Sequence, residues 1–109
     1  MNKETLTVET DEYDTIRYYN ADDQLHNPNG PAVVYADGDK WHYIKGRLHN
    51  ENGPAIACAN GSKFYWINGQ EHNPNGPAVV YANGDKSYFI NGKKLTEAEF
   101  KTWQAEQTK

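Results

Sequence analysis

Cysteine occurs once, at Cys58, so the 109-residue chain can close no intrachain disulfide and build no cysteine-rich zinc knuckle. No apolar run approaches the ~18 residues of a membrane-spanning helix, and the mean hydropathy is strongly negative, so no membrane association is expected. Met1-Asn2-Lys3 leads into Glu4 and Thr5 rather than an apolar segment, so no secretory signal is expected and a cytoplasmic location fits. Basic residues are outnumbered, 11 Lys and Arg against 15 Asp and Glu. A protein that grips nucleic acid by charge needs a basic face, so direct nucleic-acid binding is not expected. Aliphatic bulk is short as well: Leu, Ile, Val and Phe supply 17 residues, under the ~20% usual for a packed domain. Disorder does not follow, because 13% of the chain is aromatic and eight residues are Tyr. Disordered chains lack such rings, and each ring can bury roughly 150–250 Å².

What is present is periodic. The nine glycines stand at 30, 38, 46, 53, 61, 69, 76, 84 and 92, with spacings of 8, 8 and 7 in rotation. Three units of 23 residues follow, Leu25 to Arg47, Leu48 to Gln70 and Glu71 to Lys93. His26, His49 and His72 align, as do Gly30-Pro31-Ala32, Gly53-Pro54-Ala55 and Gly76-Pro77-Ala78. A fixed period of this length signals stacked repeats. Asp37-Gly38, Asn60-Gly61 and Asn83-Gly84 suit two-residue type I′ hairpins, with positive φ expected at Gly38, Gly61 and Gly84. Lys45-Gly46, Asn68-Gly69 and Asn91-Gly92 form a second set of turns. The segment around Asn27-Pro28-Asn29-Gly30-Pro31 reads as an arch or bulge within a strand. Glu51 replaces the first of those prolines in the second unit, so the bend does not depend on it. Two reversals per unit keep identical sequences in equivalent places, which three would not. The expected fold is an all-β meander of antiparallel hairpins over residues 25–93; a three-sided β-solenoid is the alternative.

These residues resemble a MORN-type repeat protein, closest to the variant, often phage-borne arrays with a Leu-His-x-x-x-Gly-Pro-Ala signature. Leu25-His26-Asn27-Pro28-Asn29-Gly30-Pro31-Ala32 and Leu48-His49-Asn50-Glu51-Asn52-Gly53-Pro54-Ala55 carry it, and the third copy departs from it with Glu71 in place of Leu. The resemblance spans about residues 17–95. It implies meandering β-hairpins that serve as scaffolds or interaction surfaces, with no common activity.

The ends differ from the array. Residues 1–24 hold Lys3 and Arg17 against seven acidic residues, an acidic segment with room for a degenerate first hairpin. Terminal repeats are commonly atypical because they cap the stack. At the other end, residues 94–109, Thr96-Glu97-Ala98-Glu99 is a capping box with Leu95 and Phe100 placed as a hydrophobic staple. A helical cap from Glu97 to about Gln107 is expected, with Phe100 and Trp103 on one side.

A type I′ turn at Asp37-Gly38 sets Val34 opposite Trp41 and Val33 opposite His42. Side chains alternate along a strand, so one face collects Trp41, Phe64, Trp66 and Phe89 between small residues. It reads as core, covered by the C-terminal helix or by the sheet's curl. The other face collects Tyr35, Lys40, His42, Lys63, Tyr65, Tyr81, Lys86 and Tyr88, with Val33, Ile56 and Val79 among them. Rings beside a cation in every unit make this the candidate binding surface.

No enzyme signature is present: no nucleophile elbow, P-loop or His-Glu-x-x-His. The His26, His49 and His72 column repeats every two strands, about 9–10 Å, too far apart for ligands that each sit ~2.0–2.1 Å from one zinc. These rings are expected to bond the backbone of a bend, and no metal or cofactor is expected. Cys58 has no basic cluster beside it in sequence, so a packing role is expected. The leading expectation is a non-enzymatic interaction protein that binds another protein. Given the resemblance, a phage-encoded inhibitor or adaptor acting in the host cytoplasm is its most concrete form. The alternatives are a binder of a small nucleotide-like anion on the Tyr/Lys face and a self-assembling structural module; a homodimer stays open.

Overall fold

The computed structural model describes residues 4–108. Met1, Asn2 and Lys3, on which the expectation about the start of the chain rests, and Lys109 lie outside the described residues. The first hairpin is β1 (Thr7–Thr10) with β2 (Ile16–Tyr19). Then follow β3 (Val33–Val34), β4 (Lys40–Trp41), β5 (Tyr43–Ile44) and β6 (Arg47–Leu48). The same order recurs in β7 (Ile56–Ala57), β8 (Lys63–Phe64), β9 (Trp66–Ile67) and β10 (Gln70–Glu71). The chain ends with β11 (Val79–Val80), β12 (Lys86–Ile90), β13 (Lys93–Leu95) and the helix α1 (Glu97–Gln107). All strand pairings are antiparallel. A nine-stranded open sheet runs β1-β2-β3-β4-β7-β8-β11-β12-β13, and β5–β6 and β9–β10 form separate hairpins beside it. The fold is therefore a meander of antiparallel β-hairpins with one short C-terminal helix. No described helix is long and apolar enough to cross a membrane.

The two sets of turns differ in kind. Lys45 and Gly46 both take positive φ (50° and 79°), as do Asn68 and Gly69 (50° and 79°) and Asn91 and Gly92 (51° and 82°). These are the type I′ turns, and they pair Ile44 with Arg47, Ile67 with Gln70 and Ile90 with Lys93. At the other set only the glycine is left-handed, Gly38 at 101°, Gly61 at 97° and Gly84 at 95°. There the Gly38 N–H donates to the Tyr35 carbonyl (3.0 Å) and the Tyr35 N–H to the Asp39 carbonyl (2.9 Å). This is a three-residue loop, a type I turn closed by a glycine bulge.

The extra residue shifts the register by one, so Val33 pairs with Trp41 and Val34 with Lys40. The expected pairing of Val34 with Trp41 is corrected, and with it the faces, because a slip of one residue turns a strand over. Val33, Ile56 and Val79 lie on the side of Trp41 and Phe64, and they are buried (3%, 7% and 4% exposed).

The interior is thin. Its other members are Ala32, Ala55 and Ala78, each fully buried, with Ile90 and Phe100. The molecule measures 45 × 36 × 19 Å, a slab with one layer of side chains to each side of the sheet. Much of its order comes from backbone bonds between units. His42 and Tyr65 donate to the Ala55 and Ala78 carbonyls of the next unit (2.6 and 2.7 Å), while the type I′ glycines close their own unit, Gly46 donating to the Leu25 carbonyl, Gly69 to Leu48 and Gly92 to Glu71 (2.9, 2.9 and 2.8 Å).

At the C-terminus Thr96 caps α1: its hydroxyl accepts from the Glu99 N–H (3.1 Å) and the Glu99 carboxylate accepts from the Thr96 N–H (2.8 Å). The expected capping box is present. The helix does not cover the face of Trp66 and Phe89. It packs on Tyr88, with the Phe100 ring 4.8 Å from the Tyr88 ring and Trp103 6.0 Å beyond.

Candidate functional site

The sheet's two faces can be built from the ladder. Lys40 pairs with Ala57, Ala57 with Lys63, Lys63 with Val80 and Val80 with Lys86. Directly paired residues share a face, so Lys40, Lys63 and Lys86 form one row, two strands apart, at about 9–10 Å. All three are exposed, and none makes an ion pair among the described residues. Two residues along each strand, on the same face, stand His42, Tyr65 and Tyr88.

Arches wall this face into grooves. In each, a leading asparagine holds the bend: Asn27, Asn50 and Asn73 accept the N–H two residues on (3.1, 3.0 and 3.0 Å) and donate to the Pro31, Pro54 and Pro77 carbonyls (3.1, 3.0 and 3.0 Å). That is an Asx turn closed at both ends. It explains why Glu51 is tolerated where Pro28 and Pro74 stand. The expectation singled out proline and glycine; the signal it missed is the asparagine that opens each arch. Between the first two arches lies a groove of about 530 Å³ floored by His42 and Ile44. Between the second and third lies one of about 800 Å³ floored by Tyr65, Ile67 and Val80, with His72 at its side. The site that Tyr88 would floor is filled by Phe100, and the Tyr88 hydroxyl donates to the Glu97 carboxylate (3.1 Å).

Burial holds the His42 imidazole below its ordinary value; Lys40 adds to this and a hydrogen bond to the Gly30 backbone opposes it. Desolvation beside α1 and the Glu97 carboxylate raise the Tyr88 phenol. The histidine column bonds backbone, as expected, but that of the type I′ turn at the end of its own unit rather than that of the arch. Nδ1 of His26, His49 and His72 accepts the N–H of Lys45, Asn68 and Asn91, each at 2.9 Å. Those donors are the first residues of the type I′ turns, held at positive φ where a side-chain-bearing residue is disfavoured. The outer nitrogens of His26 and His49 meet Glu4 (2.7 Å) and Glu51 (3.4 Å).

The eight residues expected to share a binding surface divide between the faces. Lys40, His42, Lys63, Tyr65, Lys86 and Tyr88 stand together, with Tyr88 already under α1. Tyr35 and Tyr81 stand on the opposite face. Tyr35 meets Trp41 edge-on (6.1 Å) and Tyr81 meets Phe64 edge-on (5.8 Å). Trp41 in turn stacks on Tyr43 at 6.5 Å. On this ring face the indole nitrogens of Trp41 and Trp66 are buried without a partner among the described residues. Cys58 occupies the position equivalent to Tyr35 and Tyr81. Burial raises its thiol, and Asp39 and Asp37 raise it further, the reverse of a reactive thiolate.

Comparison of the chain with protein-family models, with curated proteins and with solved structures gives no match.

Proposed function

We propose that the chain is a non-enzymatic, MORN-like β-repeat protein that binds another protein through its grooved, cationic face. The observation that supports this most is the row of Lys40, Lys63 and Lys86 beside the grooves floored by His42 and Tyr65. Three exposed cations at matched positions, without ion-pair partners among the described residues, offer charge to an acidic surface, and complementary charge chiefly sets encounter rate and specificity. Between them, Tyr65 presents a ring that loses little entropy on contact. The grooves open outward along the slab, a shape better suited to an extended partner than to one enclosed small anion. In this reading the 23-residue units are structural repeats, Trp41, Phe64, Trp66 and Phe89 support the scaffold, and the protein acts as an inhibitor or adaptor in its host's cytoplasm.

The test is native mass spectrometry of the protein isolated from its own host, as wild type and as Lys40→Glu/Lys63→Glu/Lys86→Glu. A protein partner present with the wild type and lost from the triple variant supports the reading. A partner retained by the triple variant, or a bound small anion in its place, overturns it.

A further inference from the structure

The chain supplies its own example of what the grooved face holds. At Tyr88 the position is filled from within: Phe100, 3% exposed, lies 4.8 Å from the Tyr88 ring, and Glu97, three residues earlier on α1, accepts from the Tyr88 hydroxyl at 3.1 Å. Residues three apart share a side of a helix, so one helix delivers ring and carboxylate together. Lys86 lies two residues before Tyr88 on the same face.

Twenty-three residues earlier the same parts recur without the occupant. Tyr65 floors the groove of about 800 Å³, and Lys63 lies two residues before it. The volume falls within the range of about 300–1,000 Å³ typical of ligand sites. The walls are arch backbone held by Asn50 and Asn73, so the groove is formed before anything enters. The carboxylate in its lining, Glu51, is engaged with His49 at 3.4 Å, and Lys63 and Lys86, unpaired among the described residues, stand on the same face beside it.

We propose that the groove over Tyr65 receives an acidic helix of the partner protein, with an aromatic side chain laid on the Tyr65 ring and a carboxylate three residues before it, near the Tyr65 hydroxyl and Lys63. This rests on the reading that the grooved face binds protein, and it names the partner's contacting element. Helices recognised in grooves are read by anchors at i and i+3, and aromatic pairs prefer offset or tilted contact, the geometry that Phe100 and Tyr88 already adopt.

The experiment titrates the full-length, ¹⁵N-labelled protein with an acetylated peptide of its own residues 96–108. Saturable shifts at Gly53, Tyr65, Ile67 and Gly76 are expected, weakened at least about tenfold by Phe100→Ala in the peptide and by Tyr65→Ala in the protein. Lys63→Glu alters an exposed side chain and leaves the fold in place, so the same loss is expected there even if Tyr65→Ala unfolds. Absent saturation, shifts confined to Tyr88 and α1, or equal affinity for the Lys63→Glu protein would each overturn the inference. If the peptide fails while the triple lysine variant still loses its host partner, the binding face stands and only its occupant is wrong.

Discussion

Tyr65 and Trp66 are neighbours in the chain and belong to different surfaces. On the side of Trp66, rings pack on rings, Val33, Ile56 and Val79 are buried among them, and the cations of the ladder, Arg17 opposite Val33 and Lys94 opposite Phe89, stand toward its two ends. On the side of Tyr65 there are three lysines in a row, and backbone arches leave open grooves. One face spends its aromatic residues on packing; the other holds them apart. The difference teaches that in a slab 19 Å thick one face can supply the ring packing while the other stays open to contact.

The largest expected effect tests that division directly. Trp66→Ala should cost about 3 kcal/mol, the lower end for a buried aromatic, because Trp66 is only partly buried. Tyr65→Ala, one residue away, should cost about 1 kcal/mol, near the average for a point substitution. Urea denaturation of both variants measures the gap, and equal losses would erase the distinction between the faces. Next comes the wall of the grooves. Asn50→Ala removes two hydrogen bonds and should lower stability by about 2 kcal/mol, whereas Glu51→Pro should change it by no more than about 0.5 kcal/mol. Thermal melts of the two variants distinguish the asparagine from the residue after it.

The hairpins, the capped helix and the backbone-bonding histidines were legible because each rests on local chemistry. The two bonds of the Thr96 capping box join residues only three positions apart. The faces were less legible. An Asp-Gly or Asn-Gly pair serves a type I′ turn or the end of a three-residue loop equally well, and nothing at Asp37-Gly38 separates the two. At Lys45, Asn68 and Asn91 the type I′ form is favoured by a histidine nitrogen waiting 19 residues earlier in the chain. That partner is visible only once each unit has folded back on itself. The one-residue difference in loop length then moved Tyr35 and Tyr81 away from the lysines. The position of α1 was hidden for a similar reason: Phe100 could seal either side of the last strand, and only the path from Leu95 brings it over Tyr88.

Smaller effects refine the comparison between the two turn sets. A Cβ on Gly61 would meet nothing within 4 Å, so Gly61→Ala should cost only its left-handed backbone, about 1–2 kcal/mol. At Gly69 a Cβ would lie 3.6 Å from Arg47, in ordinary contact, so Gly69→Ala should cost about the same. Denaturation midpoints of the pair show whether conformation alone governs both sets.

The smallest effect is a pH dependence on the grooved face. His42 is held below its ordinary 6.5, so the unfolded chain takes up its proton first. Stability therefore falls as pH drops below 6.5 toward the depressed folded value. His42→Gln should flatten that part of the slope, seen by comparing urea midpoints at about pH 7.5 and about pH 5.5.

The division of the sheet into a ring face and a grooved face depends on which residue of each first strand lies opposite the next. Cross-strand backbone NOEs in the intact protein measure it. Contacts linking Val33 with Trp41, Ile56 with Phe64 and Val79 with Ser87 are expected. Contacts linking Val34 with Trp41 and Val33 with His42 instead would return Tyr35 and Tyr81 to the lysine face and contradict the division.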